Sequence, residues 1–113
     1  MIVLIEHIDA VSSLEEILAV AGIDGVLIGP YDLSGSMNML GQVTSEPVRS
    51  SIAEIKKRCQ EKPVPVGMFV MKAEDAQNEI DDGCKFIVVG IDSVLLWNAV
   101  KNAHDTVLKR SRQ

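Results

Sequence analysis

The sequence is poor in the residues that carry several common kinds of protein function. Its 113 residues include only two cysteines, Cys59 and Cys84, which lie far apart and form no CxxC pair. That spacing excludes a disulfide framework or a zinc knuckle and is typical of reduced cysteines in a cytoplasmic protein. Aromatic residues make up only 4% of the chain, too few for a surface on which nucleic-acid bases stack.

Positive charge and long apolar runs are also scarce. The chain has 11 Lys and Arg against 16 Asp and Glu, a formal net charge of -5. Because such a surface repels phosphate groups, we expect neither a nucleic acid nor a membrane as partner. No apolar run approaches the ~20 residues of a membrane span, and no signal-peptide pattern is present. We therefore expect a cytoplasmic globular protein.

The chain does contain a regular alternation of apolar runs and amphipathic stretches. The alternation predicts an α/β fold with a parallel sheet, in a single domain over residues 1–113. Ser13 and Glu16 match a helix capping box, and Ser45 is a second cap candidate, placed before a helix with an apolar stripe from Val48 to Cys59. The predicted strands, each expected to be buried on both faces, are Ile2–Ile5, Gly25–Ile28, 64–69 and Phe86–Val89.

Two carboxylates follow the first two predicted strands. Glu6 ends the first strand, and Asp32 lies in a long predicted loop over residues 29–45. If consecutive strands are neighbours, both carboxylates lie at one end of the sheet. An all-oxygen pair with open positions suits Mg²⁺ or Mn²⁺. Alternatively, Glu6 caps a strand and Asp32 anchors a turn; the spacing leaves both interpretations open.

The remaining polar candidates favour structural roles. His7 follows Glu6 directly, so on a strand it points to the opposite face, and His104 lies inside the last predicted helix without a partner. The run Ser34-Gly-Ser36 lacks the Gly-x-Ser-x-Gly frame of a nucleophile elbow. No catalytic residue is assigned within the chain.

Three stretches, IEHIDAV, GIDGVLIGPYDLSGSM and GQ, resemble the HpcH/HpaI aldolase/citrate lyase family. Its members include metal-dependent class II pyruvate aldolases of the 2-dehydro-3-deoxyglucarate and 4-hydroxy-2-oxoheptanedioate type. The resemblance covers essentially the whole chain, with Asp32 of G-P-x-D-L-S placed 26 residues after Glu6. Leu4 and the Met37-Asn38-Met39 step depart from the usual pattern.

The resemblance implies a phosphoenolpyruvate/pyruvate-binding (β/α)8 barrel and a site for a 2-oxo acid and an aldehyde. Glu6 and Asp32 would hold the divalent metal, Mg²⁺ or Mn²⁺ with Co²⁺ as a further candidate. Gly29, Pro30 and Tyr31 would receive the substrate carboxylate, and Phe69 would line the aldehyde side. The metal would chelate the oxo acid and stabilise the enolate formed when a carbon–carbon bond breaks.

A complete (β/α)8 barrel takes about 250 residues, so the resemblance implies half a barrel, strands five to eight. In the family, the substrate-binding arginine and the acid–base histidine belong to the preceding half. We therefore expect the isolated chain to be inactive and to pair with a complementing N-terminal half or as a homo-oligomer. The family's last helix takes part in subunit contacts, which gives the apolar stripe Leu96, Val100, Ala103 and Val107 a reason to be covered.

Three hypotheses remain open on the residues alone. The chain is part of a metal-dependent aldolase, or it is a non-catalytic half-barrel oligomer that only binds metal or a small oxo acid. The third hypothesis is an open parallel sheet of the flavodoxin or response-regulator kind. That last class predicts a phosphate-binding loop or an acidic cluster after the first strand, which Glu6-His-Ile-Asp9 fits poorly.

Overall fold

A computed structural model describes residues 1–111 as one four-stranded parallel sheet with helices on one face. The strands are β1 Ile2–Ile5, β2 Gly25–Ile28, β3 Val66–Val70 and β4 Phe86–Val89. The helices are α1 Ile8–Ser12, α2 Leu14–Leu18, α3 Pro30–Ser36, α4 Glu46–Gln60, α5 Ala76–Asp81 and α6 Asp92–Ser111, and a 3₁₀ turn over Ala73–Asp75 precedes α5.

The strands lie side by side in chain order, β1-β2-β3-β4, and every pair is parallel. Flavodoxin-like sheets instead place the first strand between the second and the third. The observed order is that of consecutive strands in a (β/α)8 barrel, so the predicted half barrel is confirmed and the open-sheet alternative is not supported.

The face of the sheet that the helices cover, here called the outer face, carries the hydrophobic core. Every second strand residue points to this face, and Val26, Ile28, Val66 and Met68 are at most 2% exposed. They pack against helix residues in one cluster. Each fully buried side chain of this size stabilises the fold by roughly 1.5–3 kcal/mol. The helix residues of the cluster include Val11, Leu14, Leu33, Ile55 and Cys59.

The opposite, inner face of the sheet is open. Its apolar side chains include Ile2, 58% exposed, Leu4, 48% exposed, and Val88, 39% exposed. The prediction that these strands are buried on both faces is therefore wrong for β1 and β4. The apolar pattern is correct, but no helix or strand within residues 1–111 lies over the inner face, which in a closed barrel faces the interior.

One aromatic ring fills part of the inner face. Phe86 on β4 lies beside Gly67 on β3, and a Cβ atom at Gly67 would come within 2.3 Å of the ring. The ring also reaches Gly25, where a Cβ would be 3.4 Å away. The two glycines thus make room for a side chain that crosses two strands.

The helices differ from the prediction in two places. Residues 8–18 form two short helices joined at Ser13, whose side chain makes no capping hydrogen bond, so the predicted capping box is wrong. The predicted long loop over residues 29–45 contains α3, because Pro30 at the first helical turn has the φ angle that a helix requires. Ser45 does precede α4, although its hydroxyl does not cap the helix.

The last helix makes few contacts with the rest of the chain. From Asp92 to Lys109 all residues are exposed except Asp105, which is intermediate. The predicted apolar stripe is present but uncovered, with Leu96, Val100 and Val107 more than half exposed. No helix within residues 1–111 is long and apolar enough to cross a membrane.

Candidate functional site

Three of the predicted site residues lie at one level across three neighbouring strands. Ile5 of β1 pairs with Ile28 of β2, and Ile28 pairs with Met68 of β3. The next residues along these strands are Glu6, Gly29 and Phe69, which therefore form a row at the carboxyl end of the sheet. Their alternation with the buried outer residues places them on the inner face.

The Glu6 carboxylate lies over Gly29. A Cβ atom at Gly29 would be 3.2 Å from the Glu6 Cβ and 3.4 Å from its Oε2. The Gly29 N–H donates to the Ile5 carbonyl across 3.1 Å, which joins the two strand ends directly below the carboxylate. The absence of a side chain at Gly29 thus leaves room for the Glu6 carboxylate at the start of α3.

Asp32 lies in the first turn of α3 rather than in a loop. Gly29 is the N-cap and its carbonyl accepts the Leu33 N–H at 3.0 Å. Pro30 has no N–H, and the Tyr31 and Asp32 N–H groups have no acceptor among residues 1–111. The first turn therefore presents two free N–H groups beside an exposed carboxylate.

Neither predicted metal ligand is neutralised by a protein group. Glu6 is half-buried and Asp32 exposed, and neither carboxylate has a hydrogen bond or an ion pair with another described residue. No group of three or more His, Cys, Asp or Glu within residues 1–111 could hold a metal. A two-carboxylate set that leaves its other positions to water and substrate fits Mg²⁺ or Mn²⁺ better than a closed zinc site.

The remaining predicted substrate residues lie around this point. Tyr31 is 56% exposed, and its ring is 3.7 Å from the position that a Cβ on Gly41 would take. Pro30 is half-buried at the start of α3, and Phe69 is half-buried on β3.

Two serines of α3 form hydrogen bonds that the sequence did not predict. The fully buried Ser34 donates to the Tyr31 carbonyl at 2.6 Å and accepts the Gly41 N–H at 2.9 Å. Ser36 donates to the Leu33 carbonyl at 2.7 Å and accepts the Ile8 N–H at 2.9 Å. Their i, i+2 spacing in the run Ser-Gly-Ser was visible in the sequence, but nothing in it indicated their partners.

The two histidines make contacts with neighbouring residues. His7 is exposed at the N-cap of α1, where its Nδ1 accepts the Asp9 N–H at 3.2 Å. His104 is exposed on α6 beside Asp105. The exposed position of His7 matches the expectation, whereas His104, expected to be without a partner, lies 3.4 Å from Asp105 Oδ1.

A second polar cluster lies between α4 and α5. Lys56 Nζ is 2.6 Å from Glu79 Oε2 and 3.4 Å from Asp82 Oδ2. Burial opposes the charge of Lys56, but the hydrogen bond and charge of Glu79, with smaller contributions from Cys84 and Asp82, outweigh it and raise its pKa. Burial also raises the pKa of the Cys59 thiol to about 11. Lys56 thus joins α4 to α5, and the Cys59 thiol stays protonated near neutral pH.

Comparison with known proteins agrees with this geometry. The family model "HpcH/HpaI aldolase/citrate lyase" matches residues 1–99. The chain belongs to the HpcH/HpaI aldolase/citrate lyase family.

Similar proteins are known in sequence and in structure. A hydroxypyruvate/pyruvate aldolase of Roseobacter denitrificans is 33% identical over 90% of this chain and 40% of its own length. A 4-hydroxy-2-oxo-heptane-1,7-dioate aldolase of Escherichia coli is 33% identical over 89% of this chain and 38% of its own length. A crystal structure of a family protein from Burkholderia cenocepacia matches 94% of this chain and 41% of its own with a TM-score of 0.88 at 29% identity. The chain thus spans about two fifths of the length of these relatives.

Proposed function

We propose that the chain is the metal-binding half of an aldolase that reversibly cleaves 4-hydroxy-2-oxo acids to pyruvate and an aldehyde. Residues 1–113 would act as one half-barrel segment that supplies Glu6 and Asp32 to the metal. The family assignment and the two named aldolases support the reaction class.

The observation that carries the proposal is the pair of unneutralised carboxylates at neighbouring strand ends. A divalent cation bound at this end of the sheet would compensate the negative charge of both carboxylates. Glu6 lies over Gly29, three residues before Asp32, and neither has a protein partner among the described residues. A divalent cation would supply the compensating positive charge. The chemistry of the ligands favours Mg²⁺ or Mn²⁺, and Co²⁺ is a further candidate.

The chain's own backbone would bind the oxo acid. The free Tyr31 and Asp32 N–H groups can donate to a substrate carboxylate, as the first turn of a helix does for anions. Gly29 leaves this approach open, and Pro30 fixes the backbone direction. Phe69, in the same row as Glu6 and Gly29, would provide an apolar wall for the aldehyde.

A metal bound to Glu6 and Asp32 would stabilise the negative charge that develops on the oxo acid when the carbon–carbon bond breaks. Within residues 1–111 the ring nitrogen of each histidine that makes a contact faces a neighbouring residue, Asp9 for His7 and Asp105 for His104, so neither is assigned as the base for the proton transfers. General acid–base help is typically worth 10²–10⁴-fold. We therefore propose that turnover requires residues outside this chain, so that the isolated chain binds metal but does not catalyse.

The open inner face indicates that the missing catalytic residues would come with further strands of a barrel. Ile2 and Leu4 on β1 and Val88 on β4 expose apolar surface that the interior of a barrel would cover. β1 and β4 also present free edges, which recruit other strands. A complementing half barrel or a second copy of this chain would supply both the strands and the cover.

A Mn²⁺ titration of the 113-residue chain tests the metal assignment. We expect one weak site that disappears in Glu6→Gln and in Asp32→Asn. Glu16→Gln, which removes an exposed carboxylate from α2, is the matched control and should bind like the parent. Identical isotherms for the parent and both site variants would contradict the assignment. An aldol-cleavage assay with and without Mn²⁺ tests catalysis, and turnover by the isolated chain would contradict the proposed division of roles.

A further inference from the structure

A single hydroxyl group joins the two backbone segments that carry the proposed metal ligands. Ser36 Oγ accepts the Ile8 N–H at 2.9 Å and donates to the Leu33 carbonyl at 2.7 Å. Ile8 follows Glu6 by two residues, and Leu33 follows Asp32 directly. The hydroxyl therefore uses its donor and one of its acceptor sites in a link between the exit of β1 and the first turns of α3.

The link acts at the start of α1. Ile8 is the first residue of α1, so its N–H has no acceptor within that helix. Only His7 lies between Glu6 and Ile8, and the His7 side chain is exposed. The ladder bond from the Gly29 N–H to the Ile5 carbonyl fixes Glu6 from one side. The Ser36 hydroxyl fixes the chain on the other side.

Ser34 does not provide an equivalent link. Its hydroxyl binds the Tyr31 carbonyl and the Gly41 N–H, and both partners belong to α3 and the turn after it. Loss of Ser34 would loosen that turn without releasing the end of β1. Of these two serines, Ser36 is the one whose hydroxyl bonds to the segment that follows Glu6.

We propose that Ser36 is a positioning residue whose hydroxyl sets the placement of Glu6 relative to Asp32 and thereby the metal affinity of the site. The proposal rests on the proposed function, since it requires that these two carboxylates hold the metal. Groups that orient metal ligands typically contribute 10–100-fold to affinity. Because Ser36 acts through the backbone rather than on a carboxylate, we expect an effect at the lower end, about tenfold.

The test compares Mn²⁺ affinity and urea stability in Ser36→Ala, Ser36→Thr and Ser12→Ala. Ser12 is the matched control, because its hydroxyl donates to the carbonyl of the same Ile8, at 3.3 Å within α1. Ser12→Ala thus removes a hydrogen bond to Ile8 without removing the link to α3. We expect about tenfold weaker binding in Ser36→Ala, recovery in Ser36→Thr, which keeps a hydroxyl, and parental binding in Ser12→Ala.

The outcomes separate this proposal from the one on which it rests. If the parent binds Mn²⁺, Glu6→Gln does not, and Ser36→Ala binds like the parent, the role of Ser36 is wrong and the metal site stands. Equal weakening in Ser36→Ala and Ser12→Ala would also overturn it, because a general loss of α1 stability would then explain both. If the parent shows no binding that depends on Glu6, the metal site fails and the role of Ser36 with it. Should Ser36→Ala not fold, Ser36→Cys of similar size and weaker hydrogen bonding replaces it.

Discussion

The two faces of the sheet differ in burial, except at β4, where the outer residue Val89 is 40% exposed. On the outer face Val26, Ile28 and Val66 are almost completely buried, whereas on the inner face Ile2, Leu4 and Val88 are more than one third exposed. Both sets are apolar, so hydropathy alone does not distinguish them. The difference shows that burial is concentrated on the helix-covered face, while the face that carries Glu6 and Phe69 stays partly exposed.

The largest expected effect separates the two faces directly. Ile28→Ala removes a fully buried outer side chain and should lower the free energy of unfolding by about 2–5 kcal/mol. Leu4→Ala on the inner face should cost less than about 1 kcal/mol in dilute solution. Urea denaturation at several protein concentrations measures both. The loss of unfolding free energy in Leu4→Ala should increase with protein concentration if other chains cover the inner face. Equal losses for Ile28→Ala and Leu4→Ala in dilute solution would contradict the difference between the two faces.

A smaller effect tests how the inner face is packed. Gly67→Ala would place a Cβ within 2.3 Å of the Phe86 ring, and such overpacking typically costs about 1–3 kcal/mol. In a Phe86→Ala background the same substitution should cost much less, because the obstructing ring is gone. A double-mutant cycle of unfolding free energies measures this coupling. No coupling would mean that the ring does not lie over Gly67.

The ion pairs between α4 and α5 stabilise the outer layer more modestly. Lys56→Met should lower stability by about 1 kcal/mol, since Glu79 and Asp82 can turn toward water once the lysine is removed. The pKa of Lys56 is raised above its ordinary value of 10.5 in the folded chain. The contribution of Lys56 to the free energy of unfolding is therefore fully present at pH values below 10.5. It disappears as the pH rises through the higher pKa of the folded chain.

Unfolding of the parent and of Lys56→Met, followed from pH 8 upward, tests this sign. The difference between the two proteins should be constant up to about pH 10 and shrink above it. A difference that grows with pH would show that burial, rather than the carboxylates, controls the lysine.

The smallest effect concerns α6, whose residues are nearly all exposed. Val100→Ser should change the stability of the dilute chain by less than about 0.5 kcal/mol, because Val100 is 57% exposed. Val48→Ser on α4, where the side chain is fully buried, is the matched control and should be strongly destabilising. Thermal unfolding of both variants measures the contrast, and a large loss for Val100→Ser would show that α6 is packed.

Much of the fold could be predicted because its signals are local. The runs at β1, β2 and β4 have the predicted bounds, and β3 begins after Pro65, which cannot donate a ladder hydrogen bond. The stripe from Val48 to Cys59 correctly marks the buried side of α4. The order of the strands followed from the resemblance to a (β/α)8 barrel, because the apolar runs alone left an open sheet of another order possible.

The predictions failed where contacts between distant residues, rather than local sequence, determine the structure. Ser13 and Glu16 match a capping pattern, yet the chain turns at Ser13 between two short helices. The seven residues of α3 are too few for a clear helical period, so Asp32 was expected in a loop. The partners of Ser34 and Ser36 are set by contacts with Gly41 and Ile8, which no local pattern encodes. The roles assigned to Glu6, Asp32 and Phe69 remain predictions from resemblance.

Sedimentation velocity of the 113-residue chain at micromolar concentration tests the half-barrel account most directly. Two sheet edges and an open apolar face should recruit a second copy, so the account predicts a dimer or larger assembly, with at least twice the chain mass of 12.3 kDa. A compact, well-folded species of 12.3 kDa would contradict it, because the inner face would then be stable in water without partner strands.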